Sequence, residues 1–248
     1  MEKSFEVGDR MSEMDMIICK IEANASFAAM LAVLVAVSGC NSSSSSSIAA
    51  LEVEPHRNVE NGVKIGVTRT GEIHLFRGLA NVFSDGINVI GERMQRNGMD
   101  AKVYNHSHWR SVTDDIIARS KRLGGVSYPI VIMGHSLGGN ASVQMAKYLG
   151  DRGIKVAKVI AFDPTITTYV GANIGDVRNY YIPKRDNENV VRKETGYTGR
   201  LENIDMTVRE GVDHFNIEKQ IDIQTKIVKE TLALTRSRRI KTPENTNR

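Results

Sequence analysis

The stretch from Ile130 to Gly139, "IVIMGHSLGG", narrows the possible folds more than any other part of the chain. Four consecutive apolar residues read as a short buried strand. The run stops at Gly134-His135-Ser136-Leu137-Gly138, with a glycine two places before the serine and another two places after. Helical periodicity then continues to about residue 150. A chain that turns directly from strand to helix needs small neighbours at the bend, and the residue at the apex is presented at a helix N-terminus. Unpaired amides and the helix dipole favour negative charge there. The pattern therefore predicts a strained turn with an exposed Ser136 hydroxyl. A phosphate-binding loop would need Gly-Lys-Ser/Thr where this chain has Gly139-Asn140-Ala141, and a dinucleotide loop would need G-x-G-x-x-G, which is absent.

From about residue 60 onward, short apolar runs alternate with helical patterns, which predicts an α/β fold with a mostly parallel central sheet flanked by helices. Strands are expected at 72–76, 101–106, 129–133, 156–162 and 177–182. Helices are expected near 85–97 (capped by Ser84, with Ile87, Ile90 and Met94 on one face), after a Ser111/Asp114 cap, over 137–150, and over 215–234 with Ile217, Ile221, Val228 and Leu232 on one stripe. Residues 63–67 read either as an extra strand or as a lead-in. The polar stretch 184–203 reads as a surface loop, with a mobile lid as the alternative.

The first forty residues stand apart. Residues 25–39 form an uncharged apolar run shorter than the roughly 20 residues of a membrane span, with the length of a signal peptide. It ends in Val37-Ser38-Gly39-Cys40, which resembles the lipobox of bacterial lipoproteins, in which the cysteine is acylated. Six serines, Ser42 to Ser47, follow as a flexible tether. Upstream lie Lys3, Arg10 and Lys20 against six acids, unlike a basic signal n-region, and initiation at Met14 or Met16 would remove most of those acids. That −3 leaves +7 for the rest of a chain of net charge +4, an excess suited to an anionic envelope surface. No basic run interleaved with aromatics points to nucleic acid. The expected organisation is 1–40 signal segment, 41–60 tether, 61–236 folded domain and 237–248 basic tail. Cys19 falls in the segment to be removed, so no internal disulfide is expected in the mature domain.

A serine hydroxyl is a weak nucleophile without an adjacent base. Downstream, Asp163 ends the apolar run "VIAF" and His214 precedes the last helix, an order that supplies an acid and then a base. Asp213 is a minor rival acid. A tetrahedral intermediate would need two amide donors, expected from Leu137 and, in the loop "FRGLANVFS", from Leu79, with Ala80 second. Arg77 reads as exposed at a strand end. His106 and His108 lack the further ligands a metal site needs and are expected to line the cleft or pack on Trp109; His135 is expected to be a packing residue.

The segments "FRGLANVFS", "YNHSHW", "GHSLGGNAS", "AFDPT" and "DHFNI" resemble, in order and spacing, the small lipase- and thioesterase-like members of the α/β-hydrolase superfamily. The resemblance covers about residues 72–234. It implies Ser136, Asp163 and His214 as nucleophile, acid and base, no metal and no cofactor, and no large cap domain. Arg77-Gly78 departs from the common His-Gly of that loop. The expectation is a serine hydrolase acting on a small-molecule or lipid acyl ester or thioester, tethered to the bacterial cell envelope through Cys40. An acyltransferase with the same intermediate and a catalytically silent envelope module are the alternatives.

Overall fold

Sheet formation follows the apolar runs closely. The computed structural model describes residues 59–60, 63–64, 66–79, 84–185 and 188–237, all within the unit Leu51–Arg248. The signal segment with Cys40, the serines 42–47, Ala80 and residues 238–248 lie outside the described residues, whereas the last two residues of the 41–60 segment form part of a strand. A two-residue ladder pairs β1 (Val59–Glu60) with β2 (Val63–Lys64) in antiparallel fashion, so the segment expected at 63–67 contributes a short strand that pairs away from the central sheet.

The central sheet comprises β3 (Glu72–Arg77), β4 (Ala101–Asn105), β5 (Ile130–His135), β6 (Val156–Phe162), β8 (Ile174–Tyr181) and β10 (Arg200–Asp205), in the order β10-β8-β6-β5-β3-β4. All of its pairings are parallel. Among the described residues, three helices lie in the crossovers, α1 (Asp85–Arg96), α2 (Trp109–Leu123) and α3 (Leu137–Gly150), and α4 (Ile221–Leu234) follows the last strand. A second small parallel ladder joins β7 (Thr168–Val170) to β9 (Val191–Lys193).

Alternation along the strands divides the interior into two layers, because successive strand side chains point to opposite faces. Ile73 and Leu75 of β3 and Val131 and Met133 of β5 pack with Ile87, Ile90 and Met94 of α1 and Ile223 and Ile227 of α4. Ile130 and Ile132 of β5 face the other way, onto Val112 and Ile116 of α2 and Val143, Met145 and Leu149 of α3. Burial on both faces is why these strands read as continuous apolar runs. Among the described residues, no helix is long and apolar enough to cross a membrane.

Three local expectations are corrected. Helix α2 begins at Trp109 after a 3-10 turn (His106–His108), so Ser111 lies inside its first turn, and its hydroxyl donates to the His108 carbonyl. Helix α4 begins at Ile221, after a 3-10 turn at Ile217–Lys219; Ile221 is exposed, and the buried stripe is Ile223, Gln224, Ile227, Val228 and Thr231. The polar stretch 184–203 contains β9 and the start of β10, with Asn189 fully buried within it. An edge strand such as Arg200–Asp205, mostly half-exposed or exposed, carries no apolar signal and so escaped sequence reading.

Candidate active site

Ser136 sits at the junction of β5 and α3 with φ 57° and ψ −123°. A non-glycine residue in that region costs on the order of 1–3 kcal/mol and persists only where its surroundings force it. Here they do. A Cβ on Gly138 would collide with the Phe76 carbonyl of β3, and one on Gly134 would collide with the Gly138 carbonyl. The two glycines let β3, β5 and the start of α3 touch backbone to backbone. The Ser136 amide donates to the Phe162 carbonyl of β6 at 2.9 Å, which fixes the turn from the other side.

Asp163 directly follows β6, and His214 reaches this turn from the loop between β10 and the 3-10 turn at Ile217–Lys219. His214 Nδ1 lies 2.6 Å from Asp163 Oδ2, and His214 Nε2 lies 3.2 Å from Ser136 Oγ. A carboxylate only accepts, so Nδ1 carries the proton and the bare Nε2 accepts from the serine hydroxyl. The geometry can therefore draw a proton from Ser136 onto His214 while Asp163 steadies the resulting charge. Burial alone would raise the Asp163 pKa, but donation from His214 and the Ile182 amide, helped by the charge of Lys184, brings it below the ordinary carboxylate value. Asp213 is turned away: its Oδ1 accepts from the Phe215 amide at 2.8 Å.

The sequence reading missed a further residue here. Asn189, from the polar stretch, donates from Nδ2 to Asp163 Oδ1 at 2.7 Å and to the Ile182 carbonyl at 2.7 Å. An asparagine among Lys184, Arg185 and Glu188 gives no sequence signal of this role. Asn189→Ala is expected to lower stability by about 2 kcal/mol through the lost buried hydrogen bonds. It should also raise the Asp163 pKa, because a donor to the carboxylate is lost, which carboxyl 13C NMR titration of Asp163 would check.

The first loop is tightly held. Ser84 does not cap α1 with its side chain. Its Oγ instead accepts from the Gly78 amide at 2.9 Å and lies 2.9 Å from His135 Nδ1. His135 Nε2 lies 2.7 Å from the His214 carbonyl, so His135 is a hydrogen-bonded element of the site, a correction to the packing role expected of it. Burial holds its pKa down at about 4, with the neighbouring His214 contributing. His106 Nδ1 lies 3.3 Å from the Gly78 carbonyl, and burial lowers its pKa below the ordinary histidine value. Arg77, expected at the surface, is buried. Gly78, the neighbour of Leu79, approaches Ser136 closely, and Leu137, directly after Ser136, supplies the first amide of α3. Among the described residues, no group of three or more His, Cys, Asp or Glu side chains could hold a metal.

Behind His135 lies Glu218, fully buried, with neither carboxylate oxygen hydrogen-bonded and Oε2 3.9 Å from His135 Nε2. Burial pushes its pKa from 4.5 up to about 7. Between those values the folded state holds a proton that the unfolded state releases, so this group's contribution to stability falls as pH rises through the window. Glu218→Gln removes that loss. Its stability relative to the parent should rise by about 3 kcal/mol between pH 4.5 and pH 8, as read by urea unfolding at the two pH values.

No protein-family model matches the sequence, and no curated protein is significantly similar to it. Solved structures do resemble it. A protein from Xanthomonas campestris pv. campestris, classed as a hydrolase of the alpha/beta superfamily, aligns at 11% identity over 66% of this chain and 98% of that one, with a TM-score of 0.37. A monoclinic form of an esterase from Pyrobaculum calidifontis aligns at 14% identity over 68% and 77% of the two chains, with a TM-score of 0.42. A hyperthermophilic esterase from the same archaeon aligns at 18% identity over 40% of this chain and 38% of its own, with a TM-score of 0.30.

Proposed function

We propose that this chain is a serine hydrolase that cleaves a carboxylic ester or thioester through an acyl-Ser136 intermediate. The observation that carries this reading is the unbroken string from Asp163 Oδ2 through both His214 nitrogens to Ser136 Oγ. Ser136 Oγ attacks the carbonyl carbon as its proton passes to His214 Nε2. The oxyanion so formed accepts from the Leu137 amide and the Leu79 amide, and the leaving alcohol or thiol takes the proton from Nε2. Water, deprotonated by the same nitrogen, then releases the acid and restores the hydroxyl. Three exposed apolar side chains lie near the machinery in sequence: Leu79 next to Gly78, Ile166 three residues after Asp163, and Phe215 next to His214. They favour an apolar acyl group over a charged one.

The test is covalent labelling by a fluorophosphonate probe. The folded protein should label stoichiometrically at Ser136, whereas absence of labelling, or equal labelling of Ser136→Ala, would sink the proposal. We further propose that Cys40 carries a lipid that holds the domain at the bacterial envelope through the serine tether. Support comes from the apolar run, the Val37-Ser38-Gly39-Cys40 signature and the six serines. Mass spectrometry of the mature N-terminus should find an acylated Cys40; an unmodified Cys40 inside an intact chain refutes it.

A further inference from the structure

The loop that should supply the second oxyanion donor is held by side chains from three different elements, and the role of each atom in that contact set is forced. The His214 carbonyl only accepts, so His135 Nε2 carries the ring proton across the 2.7 Å contact. A neutral ring then has Nδ1 as an acceptor, so Ser84 donates its hydroxyl proton there over 2.9 Å. That leaves a lone pair of Ser84 Oγ for the Gly78 amide at 2.9 Å. One string thus runs from the Gly78 amide, through Ser84 and His135, to the main chain of His214.

On the other side of Gly78, its carbonyl accepts from His106 Nδ1 at 3.3 Å. In a trans peptide the carbonyl and the following N–H point in opposite directions. Pinning the Gly78 carbonyl toward His106 therefore turns the Leu79 N–H the opposite way. The Gly78 amide is itself occupied, so it cannot serve as the donor. There is no slack in the packing: a Cβ on Gly78 would lie 3.1 Å from Ser136 Cβ and 3.2 Å from the His135 carbonyl.

We propose that Ser84, His135 and His106 are positioning residues that fix the Gly78–Leu79 peptide so that the Leu79 amide faces the oxyanion at Ser136, and that the Ser84–His135 string holds this donor in register with the base, His214. The proposal rests on the serine-hydrolase reading above. Because the buried His135 ring stays neutral, the direction of the string does not reverse near neutral pH. The charged and titratable groups around that ring are Glu218, with Oε2 3.9 Å from Nε2, the His214 ring, with its centroid 4.8 Å away, and, at longer range, Asp163 and Lys219.

Steady-state hydrolysis of p-nitrophenyl butyrate by Ser84→Ala, His135→Phe, His135→Gln and the double variant S84A/H135F tests it. Each of the first two should lose about tenfold or more in kcat with KM within about twofold, because the donor acts on the transition state rather than on bound substrate. Glutamine can both accept from Ser84 and donate to His214, so His135→Gln should recover most of the His135→Phe loss. Two residues acting through one string are not additive, so the double variant should be no worse than the poorer single one. Unchanged kcat in both singles, a loss confined to KM, or losses that multiply in the double variant would overturn the proposal. Imidazole 15N spectra of the parent protein give a reading that needs neither variants nor substrate. His135 should appear as one neutral ring protonated at Nε2 from about pH 5.5 to about pH 9, where an ordinary histidine titrates; a ring that titrates in that range, or is protonated at Nδ1, overturns the string. A parent protein that takes up no fluorophosphonate while showing the Nε2–H ring would sink the hydrolase reading and leave the hydrogen-bonded string standing.

Discussion

Ser136→Ala should lower kcat for a short-chain p-nitrophenyl ester by about 10⁶-fold while leaving the protein folded. The size follows from what is lost. With Oγ gone, His214 Nε2 has no proton to take and the proposed acyl-enzyme cannot form, so of the proposed machinery only the amides of Leu137 and Leu79 and the binding of substrate remain. The fold should hold, because the strained backbone at φ 57° is enforced by Phe76, Gly138 and Phe162, none of which needs the hydroxyl. Thermal unfolding of the variant within a few degrees of the parent, together with complete loss of turnover, is the expected pair of results. Retained turnover would mean that the hydrolysis comes from another group or from a contaminant.

Asp163→Asn should cost about 10⁴-fold in kcat, and the reason lies in which way the new amide must face. Asp163 Oδ1 accepts from the Ile182 amide at 3.1 Å and from Asn189 Nδ2 at 2.7 Å, so an acceptor is required at that position. The carboxamide oxygen of the variant goes there, and its NH₂ is left facing His214 Nδ1. His214 then has to accept at Nδ1 and carry its proton on Nε2, the tautomer that cannot take the proton of Ser136. Ring NMR of the variant should show the inverted tautomer, and kcat rather than KM should carry the defect. Thus Asn189, fully buried behind Asp163, decides how severe an isosteric change at Asp163 becomes.

Much of the sheet was legible because its strands are buried on both faces: 156–162 reads as an apolar run broken only by Lys158 and is β6 to the residue. The turn at Ser136 was legible because three backbones in contact leave no option but glycine, and glycine is visible in a sequence. Asp163 and His214 were legible as types at the ends of elements. What could not be read is the polar scaffolding. Ser84 has the residue type and position of a helix cap, yet its hydroxyl is turned to Gly78 and His135, a choice made by tertiary neighbours rather than by local preference. Asn189 and Glu218 are polar types that ordinarily face water, and nothing in their local sequence reports that they are fully buried. Strand β10 was missed for the related reason that an edge strand with exposed charges alternates nothing apolar.

The backbone-to-backbone seam at Gly134 and Gly138 bears on how this protein can change over time. Ser136 is placed by carbonyl oxygens of Phe76, Gly138 and Phe162, not by the branching of the aliphatic groups beneath it. The interior on either side can therefore exchange one hydrocarbon for another of similar bulk, as interiors commonly tolerate, without moving the hydroxyl. Sequences could drift far apart in the layers while the Ser136 oxygen stays put, provided that those two positions never acquire a methyl group.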